Sequence, residues 1–181
     1  MSRYKKNLKI LEKENVYSKE MEHDACGVGL VASTDGKKSR KVVEYGIEAL
    51  KAVWHRGAVD ADGKTGDGAG IHLEIPKDFF SEKIELTGHT YDDSEICIGM
   101  IFLPRNNYSA QENSRTLVEK ELTKSNFSIY GWRQVPVNPK VLGEKAERTR
   151  PEITQVLFKH NDKKLSNKNL EVKLYESRRK I

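Results

Sequence analysis

The chain has 181 residues, 32 Lys plus Arg against 27 Asp plus Glu, and 2 cysteines. That length suits one domain with a real core, and 36% hydrophobic beside 33% charged residues is more apolar than a disordered chain. Residues 96–103, the longest nearly unbroken apolar run, fall far short of the roughly 20 that span a bilayer, so membrane, collagen-like and disulfide-scaffold classes are excluded.

No apolar segment follows the first lysines as a secretory signal would require, and two cysteines fit a reducing, cytoplasmic setting. The net charge of +5 owes much to the two ends, Arg3, Lys5, Lys6 and Lys9, then Arg178, Arg179 and Lys180. These are interleaved with Glu12, Glu14, Glu20 and Glu22 at the start and Glu171 and Glu176 at the finish. Such mixing reads as a solvated surface, so neither a nucleic-acid nor a membrane partner is expected.

Residues 1–25 hold no glycine and no sustained apolar period, and read as a leader or arm. Residues 26–33 are small and apolar, which predicts a buried strand, and Asp35-Gly36 is a turn signal. Val43, Ile47, Leu50 and Trp54 recur at helical spacing, with Ser39 placed to cap the start and Gly57 to stop the helix. Residues 57–70, rich in Gly and Asp, are a loop. Residues 71–75 alternate as a half-exposed strand does. Residues 96–103 read as a fully buried strand. Ser109 with Glu112 forms a capping-box pattern for a helix to about residue 123, with Leu117, Val118 and Leu122 facing the core. A strand over 129–137 follows, then a short helix from Asn138-Pro139 to about residue 148. Residues 153–158 and 170–175 are apolar segments whose type the pattern leaves open. Strands and helices do not alternate regularly, so a doubly wound parallel sheet is not favoured.

Cys26, between Ala25 and Gly27, is the first candidate for chemistry. It reads either as a small buried hydrophobe or as a nucleophile that small neighbours leave approachable. A thiol needs a base near neutral pH, and neither His23 nor Asp24 points with Cys26 if the strand starts there. Cleavage between Ala25 and Cys26 would place an α-amine, of pKa about 7.7–8.0, beside the sulfur. Cys97 lies in a more apolar run and reads as inert. The loop segment 65–70 lacks the ending of a P-loop and carries an aspartate, so it reads as structural. Asp60, Asp62 and Asp67 are oxygen donors without calcium-loop spacing. The histidines at 23, 55, 72, 89 and 160 show no zinc-ligand spacing.

Several motifs fall in a specific order. His23-Asp24-Ala25-Cys26-Gly27-Val28-Gly29 comes first, then Val43-Glu44, Gly46-Ile47-Glu48-Ala49-Leu50, His55-Arg56-Gly57-Ala58 and Thr65-Gly66-Asp67-Gly68-Ala69-Gly70-Ile71. Pro76 and Phe79-Phe80 follow, and later pieces are Gly131-Trp132-Arg133-Gln134-Val135-Pro136-Val137, Leu142-Gly143, Pro151-Glu152-Ile153 with Gln155, and Leu174-Tyr175 with Arg178. Together they resemble the N-terminal end of the glutamate synthase large subunit, over nearly the whole chain after residue 22.

The resemblance implies an α+β fold: the four-layer α-β-β-α sandwich of an N-terminal-nucleophile hydrolase, here incomplete. It implies that residues 1–25 are a propeptide and 26–181 the opening portion of a class II glutamine amidotransferase domain. Cys26 would attack the side-chain amide of L-glutamine and release ammonia through a γ-glutamyl thioester, with Arg56 shaping the site. The partners implied are the remainder of the large subunit and a small reductase subunit. The full-length family uses FMN and a 3Fe-4S cluster, with NADPH or ferredoxin as reductant, and no cofactor is expected in this segment. The family's oxyanion-hole Asn-Gly pair is absent from this sequence, which keeps open a catalytically silent fragment or binding module.

Overall fold

The structure is a computed structural model that describes residues 6–7, 9–10, 13, 27–54, 57–92 and 95–181. The chain divides into two compact units, the first formed by Met1–Val59 with Gly66–Ile71 and the second by Asp60–Thr65 with His72–Ile181.

The described part of the first unit is built on helix α1, Arg40–Ala52, whose N-cap Ser39 accepts a hydrogen bond from the Val42 amide as its residue type predicts. The helix leaves α geometry at Val53, and the Gly57 amide donates to the Trp54 carbonyl at 3.0 Å. Val43, Ile47 and Leu50 are half-buried, but Trp54, the last member of the predicted stripe, stands 78% exposed because it lies beyond the helix end.

The expected strand at 26–33 does not form over its described part. Residues 27–33 pair with nothing among the described residues, and Val28 and Leu30 are more than nine-tenths exposed. An apolar run becomes a strand only when another edge takes up its amides and carbonyls.

In the second unit residues 72–75, of the strand predicted at 71–75, are likewise unpaired among the described residues, and only Ile75 reaches a core. Helix α2, Lys77–Glu85, buries Phe80 and Ile84. Three strands then build an antiparallel sheet in the order β1-β3-β2: β1 is Cys97–Leu103, β2 is Phe127–Gln134 and β3 is Glu152–His160. Helix α3, Tyr108–Lys124, connects β1 to β2, the short helix α4, Glu144–Thr149, precedes β3, and α5, Asn167–Lys180, follows it. The unit is a mixed α/β structure around a small antiparallel sheet, which agrees with the prediction against a parallel one.

The sheet has a core on each face. On one, Cys97, Phe127, Val156 and Phe158 pack with Val118 and Leu122 of α3 and Leu170 of α5. On the other, Tyr130 and Leu157 pack with Phe80 and Ile84 of α2 and with Ile96. Alternation along β3 assigns Val156 and Phe158 to the first face and Leu157 to the second. A β-bulge at Tyr130-Gly131 sets two residues of β2 against Leu157, so that Trp132 returns to the first face opposite Val156. Without that extra residue Trp132 would point the other way. Gly131 sits at φ +154, and a Cβ there would lie 2.9 Å from the Thr87 methyl.

Other expectations shift for local reasons. Strand β1 is not fully buried: it is a sheet edge, with Met100 and Phe102 exposed. Helix α3 starts two residues earlier than the Ser109-Glu112 box implied, because Asn107 accepts from the Ala110 amide at 2.9 Å and so serves as the cap. Leu117, predicted to face the core, is exposed. Asn126 in the left-handed region (φ 66) closes the same helix, its amide donating to the Thr123 carbonyl. Strand β2 ends at Gln134, since Val135 still donates to the Ile153 carbonyl but Pro136 has no amide to offer. The helix expected at 138–148 is interrupted: Pro139–Val141 is a 3-10 turn, Leu142 and Gly143 are extended, and α4 begins afresh. The apolar segments of open type resolve as β3 and α5, the latter capped by Ser166 and ending in Arg178, Arg179 and Lys180, charges that suit a helix C-terminus.

Thr154 lies on β3, on the face of Val156, and its hydroxyl is buried without a hydrogen-bond partner. Replacing it with valine keeps the shape and removes that desolvated group. Thr154→Val is expected to raise the urea midpoint by the equivalent of about 1 kcal/mol. A lower midpoint than wild type would mean that the hydroxyl is in fact bonded.

Candidate active site

Cys26 and Arg56, the two site residues read from the sequence, lie outside the described residues, as do His23, Asp24 and His55. The structure does describe the chain that follows each of them. Residues 27–30 run exposed. After Gly57 the chain enters the Gly/Asp loop, and the two parts of that loop belong to different units.

Within the first unit, Val59 forms an isolated antiparallel bridge with Gly66, and the Ala58 amide donates to Asp67 Oδ2 at 3.0 Å. A side chain at Gly66 would meet the Ala58 carbonyl at 3.3 Å. The bridge therefore draws the two ends of the loop together with a carboxylate as the tie.

Within the second unit, residues 60–65 make a turn in which the Asp60 amide donates to the Thr65 carbonyl (2.8 Å) and Gly63 adopts φ +67. Asp62 is its organising group. Its Oδ1 accepts from the amides of Lys64 (2.9 Å) and Thr65 (2.7 Å), and its Oδ2 from the Thr65 hydroxyl (2.5 Å). The Thr65 hydroxyl and amide, then the Lys64 amide, hold the Asp62 carboxyl well below the usual carboxylate range, and the Lys145 amide adds to the effect. The turn docks on residues 140–145. Asp60 Oδ2 pairs with Lys145 Nζ at 2.7 Å, and Lys64 Nζ donates to the Lys140 carbonyl at 3.2 Å. Gly143 is where the two pieces touch: a Cβ there would lie 2.5 Å from the Thr65 nitrogen. The Leu142-Gly143 motif and the Thr65-Gly66 motif are thus two halves of one joint, a role that spacing does not reveal. The signal available was the glycine itself, at a position that breaks a helical pattern.

This joint decides between two readings of the loop. Amides at 58, 64 and 65 donate to aspartates of the chain itself and so are not held open for a phosphate. Asp60, Asp62 and Asp67 each face donors rather than one another, and among the described residues no group of three or more His, Cys, Asp or Glu could hold a metal ion.

Cys97 is buried in the first core, and burial pushes its thiol up to about 12, with Glu95 and Glu171 adding to the effect. It stays protonated and unreactive at neutral pH, as the sequence predicts. The 3Fe-4S cluster of the resembled family needs several thiolates, and a chain with two cysteines, one of them so placed, does not fit it. His89 bonds Thr87 Oγ1 and meets the Tyr130 ring edge-on, while His160 accepts from the Asp162 amide and packs on Phe127. Motif residues on the sheet are structural: Arg133 donates to Gln155, its register partner, at 2.6 Å and lies over the Phe79 ring, and Trp132 donates to Glu119.

Residues 26–181 match the family described as glutamine amidotransferases class-II. The chain belongs to this family. It is 53% identical over 178 residues to the glutamate synthase [NADPH] large chain of Azospirillum brasilense, covering 98% of this chain and 12% of that one. It is 35% identical over 174 residues to the ferredoxin-dependent glutamate synthase of Pyropia yezoensis, covering 96% of this chain and 11% of the relative. The glutamate synthase [NADPH] large chain of Bacillus subtilis (strain 168) is 33% identical over 170 residues, which is 92% of this chain and 11% of the relative. The chain thus spans about an eighth or less of these relatives. The resemblance read from the motifs is borne out, and relatives of both the NADPH and the ferredoxin type are present.

Two outcomes follow for this amidotransferase chain. Cys97 should resist alkylation at neutral pH in the folded chain and react readily in urea; fast labelling of the folded chain would refute its burial. Asp62 titrates lower folded than unfolded, so its interactions stabilise the fold above the unfolded pKa of about 3.9 and are lost as pH falls through the folded value. The urea midpoint of Asp62→Asn should therefore lie below wild type at pH 6 and converge on it toward pH 2. A gap that does not change with pH would remove the charge from the account.

Proposed function

We propose that this chain is the glutaminase segment of a glutamate synthase, with Cys26 as the nucleophile. The observation that carries the reading is that the family match begins at residue 26, the cysteine itself. The inert state of Cys97 supports it by leaving Cys26 as the reactive sulfur of the chain. In this reading residues 1–25 are a leader removed by cleavage before Cys26, and residues 26–181 are the opening portion of the amidotransferase domain.

The freed α-amine then serves as the base, accepting the thiol proton directly or through water. The sulfur attacks the side-chain carbonyl carbon of L-glutamine and forms a C–S bond. The proton passes to the amide nitrogen, the C–N bond breaks, and ammonia leaves behind a γ-glutamyl thioester. Water then forms the new C–O bond and releases the thiol, giving glutamate. Arg56, three residues after the C-cap of α1 at Val53, shapes the substrate site. The ammonia feeds the amination and reduction of 2-oxoglutarate in the remainder of the large subunit, where FMN and the cluster belong, with NADPH or ferredoxin as electron source and a small reductase subunit as a partner. This reading places the enzyme in the cytoplasm. No described helix is long and apolar enough to cross a membrane.

The complete domain would be a four-layer α-β-β-α sandwich. What supports this is the sheet of the second unit, which has apolar side chains on both faces and free outer edges on β1 and β2 among the described residues. A second reading, a catalytically silent fragment, is favoured by one observation: the chain contains no Asn-Gly pair for an oxyanion hole, a contribution of about 3–4 kcal/mol in such reactions.

The test uses the full synthase polypeptide. Mature protein should begin at Cys26, a glutamine-analogue electrophile should label that residue, and Cys26→Ala should lower glutaminase turnover by at least about a thousandfold. Retention of the 25 leading residues in active enzyme, or full turnover in Cys26→Ala, would overturn the mechanism. Assaying the 181-residue chain alone separates the two readings: turnover that depends on Cys26 dismisses the silent fragment.

A further inference from the structure

The end of β1 and the connection between α4 and β3 enclose a surface cavity of about 360 Å³, walled by Pro104 and Pro151, rimmed by Phe102, and carrying Arg105, Arg148 and Arg150. Its size lies within the range of small-ligand sites, about 300–1,000 Å³.

The cavity is held in shape from behind. Gln111 of α3, itself buried, donates its Nε2 to the carbonyls of Pro104 (2.9 Å) and Arg105 (3.2 Å), which fixes the turn after β1. Glu147 then positions two guanidinium groups at once. Arg150 gives it Nε at 2.8 Å and Nη2 at 3.4 Å, and Arg105 gives it Nη1. Arg150 and Arg105 keep the Glu147 carboxyl below its usual range, so the anchor stays charged. Arg148 pairs outward with Glu144.

The donor count is what points to a ligand. A guanidinium has five N–H groups. Glu147 occupies one nitrogen of Arg105 and two of Arg150, so Arg105 Nε and Nη2 and Arg150 Nη1 have no acceptor within the chain among the described residues. Glu144 pairs Arg148, Glu147 is shared by Arg105 and Arg150, and the Glu152 carboxylate also acts on Arg150, so free N–H groups rather than net charge distinguish the cavity. Two guanidiniums fixed by one shared carboxylate suit an oxyanion, because planar N–H pairs match planar oxygen pairs. The neighbouring Phe102 ring is 64% exposed, an apolar surface beside the charge.

We propose that this cavity binds an oxyanion, a carboxylate or phosphate group, carried on a small aromatic or otherwise flat apolar body. The oxygens take the free N–H groups of Arg105 and Arg150, and the body lies on Phe102. This site uses neither Cys26 nor Arg56, so its test is independent of the glutaminase reading.

The probes are phenyl phosphate, benzoate and inorganic phosphate, titrated calorimetrically into the 181-residue chain at constant ionic strength set with chloride. Phenyl phosphate or benzoate should bind saturably with one site, and tighter than inorganic phosphate. The tighter of the two aryl probes identifies phosphate or carboxylate as the preferred headgroup. Arg105→Gln should weaken binding about tenfold or more, the loss of charge-assisted hydrogen bonds, while Glu147 keeps Arg150 in place. Phe102→Ala, at an exposed position that leaves the cores intact, should bring the aryl probes down to the affinity of inorganic phosphate. Heats no different from those of chloride, or affinities unchanged in both Arg105→Gln and Phe102→Ala, would overturn the proposal.

Discussion

The described fold depends on one strand being buried on both sides. Residues 154–158 of β3 are all buried, and β3 alone is paired along both edges. A strand in that position must be apolar toward two cores at once and must find partners for every amide and carbonyl. Val156 and Phe158 meet one core and Leu157 the other, so the two helical layers communicate through this single strand. The bulge in β2 is a consequence: it lets the second edge of β3 be paired while still returning Trp132 to the face where Val156 and α3 lie. Thr154 is the one polar concession on that strand whose hydroxyl finds no partner.

A second constraint works through backbone proximity rather than side-chain burial. Gly143 brings the segment before α4 against the turn at Asp62 and Thr65, closer than any side chain would allow. Ion pairing of Lys145 with Asp60 flanks that approach. Two stretches nearly 80 residues apart in sequence are thereby joined, by about the distance from Thr65 to Gly143. Their exposed charges contribute little individually, as surface pairs do. What gives the joint its definition is the number of amides directed at one carboxylate, which neither a lysine nor a larger residue at 143 could replace.

Much of this was legible beforehand where local rules suffice. Ser39 caps its helix, Val118 and Leu122 face the core, and the apolar run ahead of Pro104 is a strand. Where a tertiary partner was needed, the reading failed. Residues 27–33 and 72–75 have strand-like composition yet pair with nothing described, because composition does not supply an edge. Asn107 displaced Ser109 as a cap because its side chain reached the free amide first. The helix expected across 138–148 broke at Leu142-Gly143 because a docking turn, invisible in the local pattern, occupies the space a side chain there would need. For the candidate site, the motifs identified the family, while the arrangement of Cys26 and Arg56 is outside what the structure describes.

The sequence by itself determined the family and the candidate sulfur, because ordered motifs of glycine, arginine and cysteine are properties of residue identity and spacing. It also determined the start of α1, since the Ser39 cap is a contact between near neighbours. Only the tertiary structure decided which apolar runs became strands, why position 143 is glycine, and that Arg105 and Arg150 share Glu147 at one cavity. Each of those rests on a contact between residues far apart in the chain, and such contacts exist only once the backbone has closed on itself.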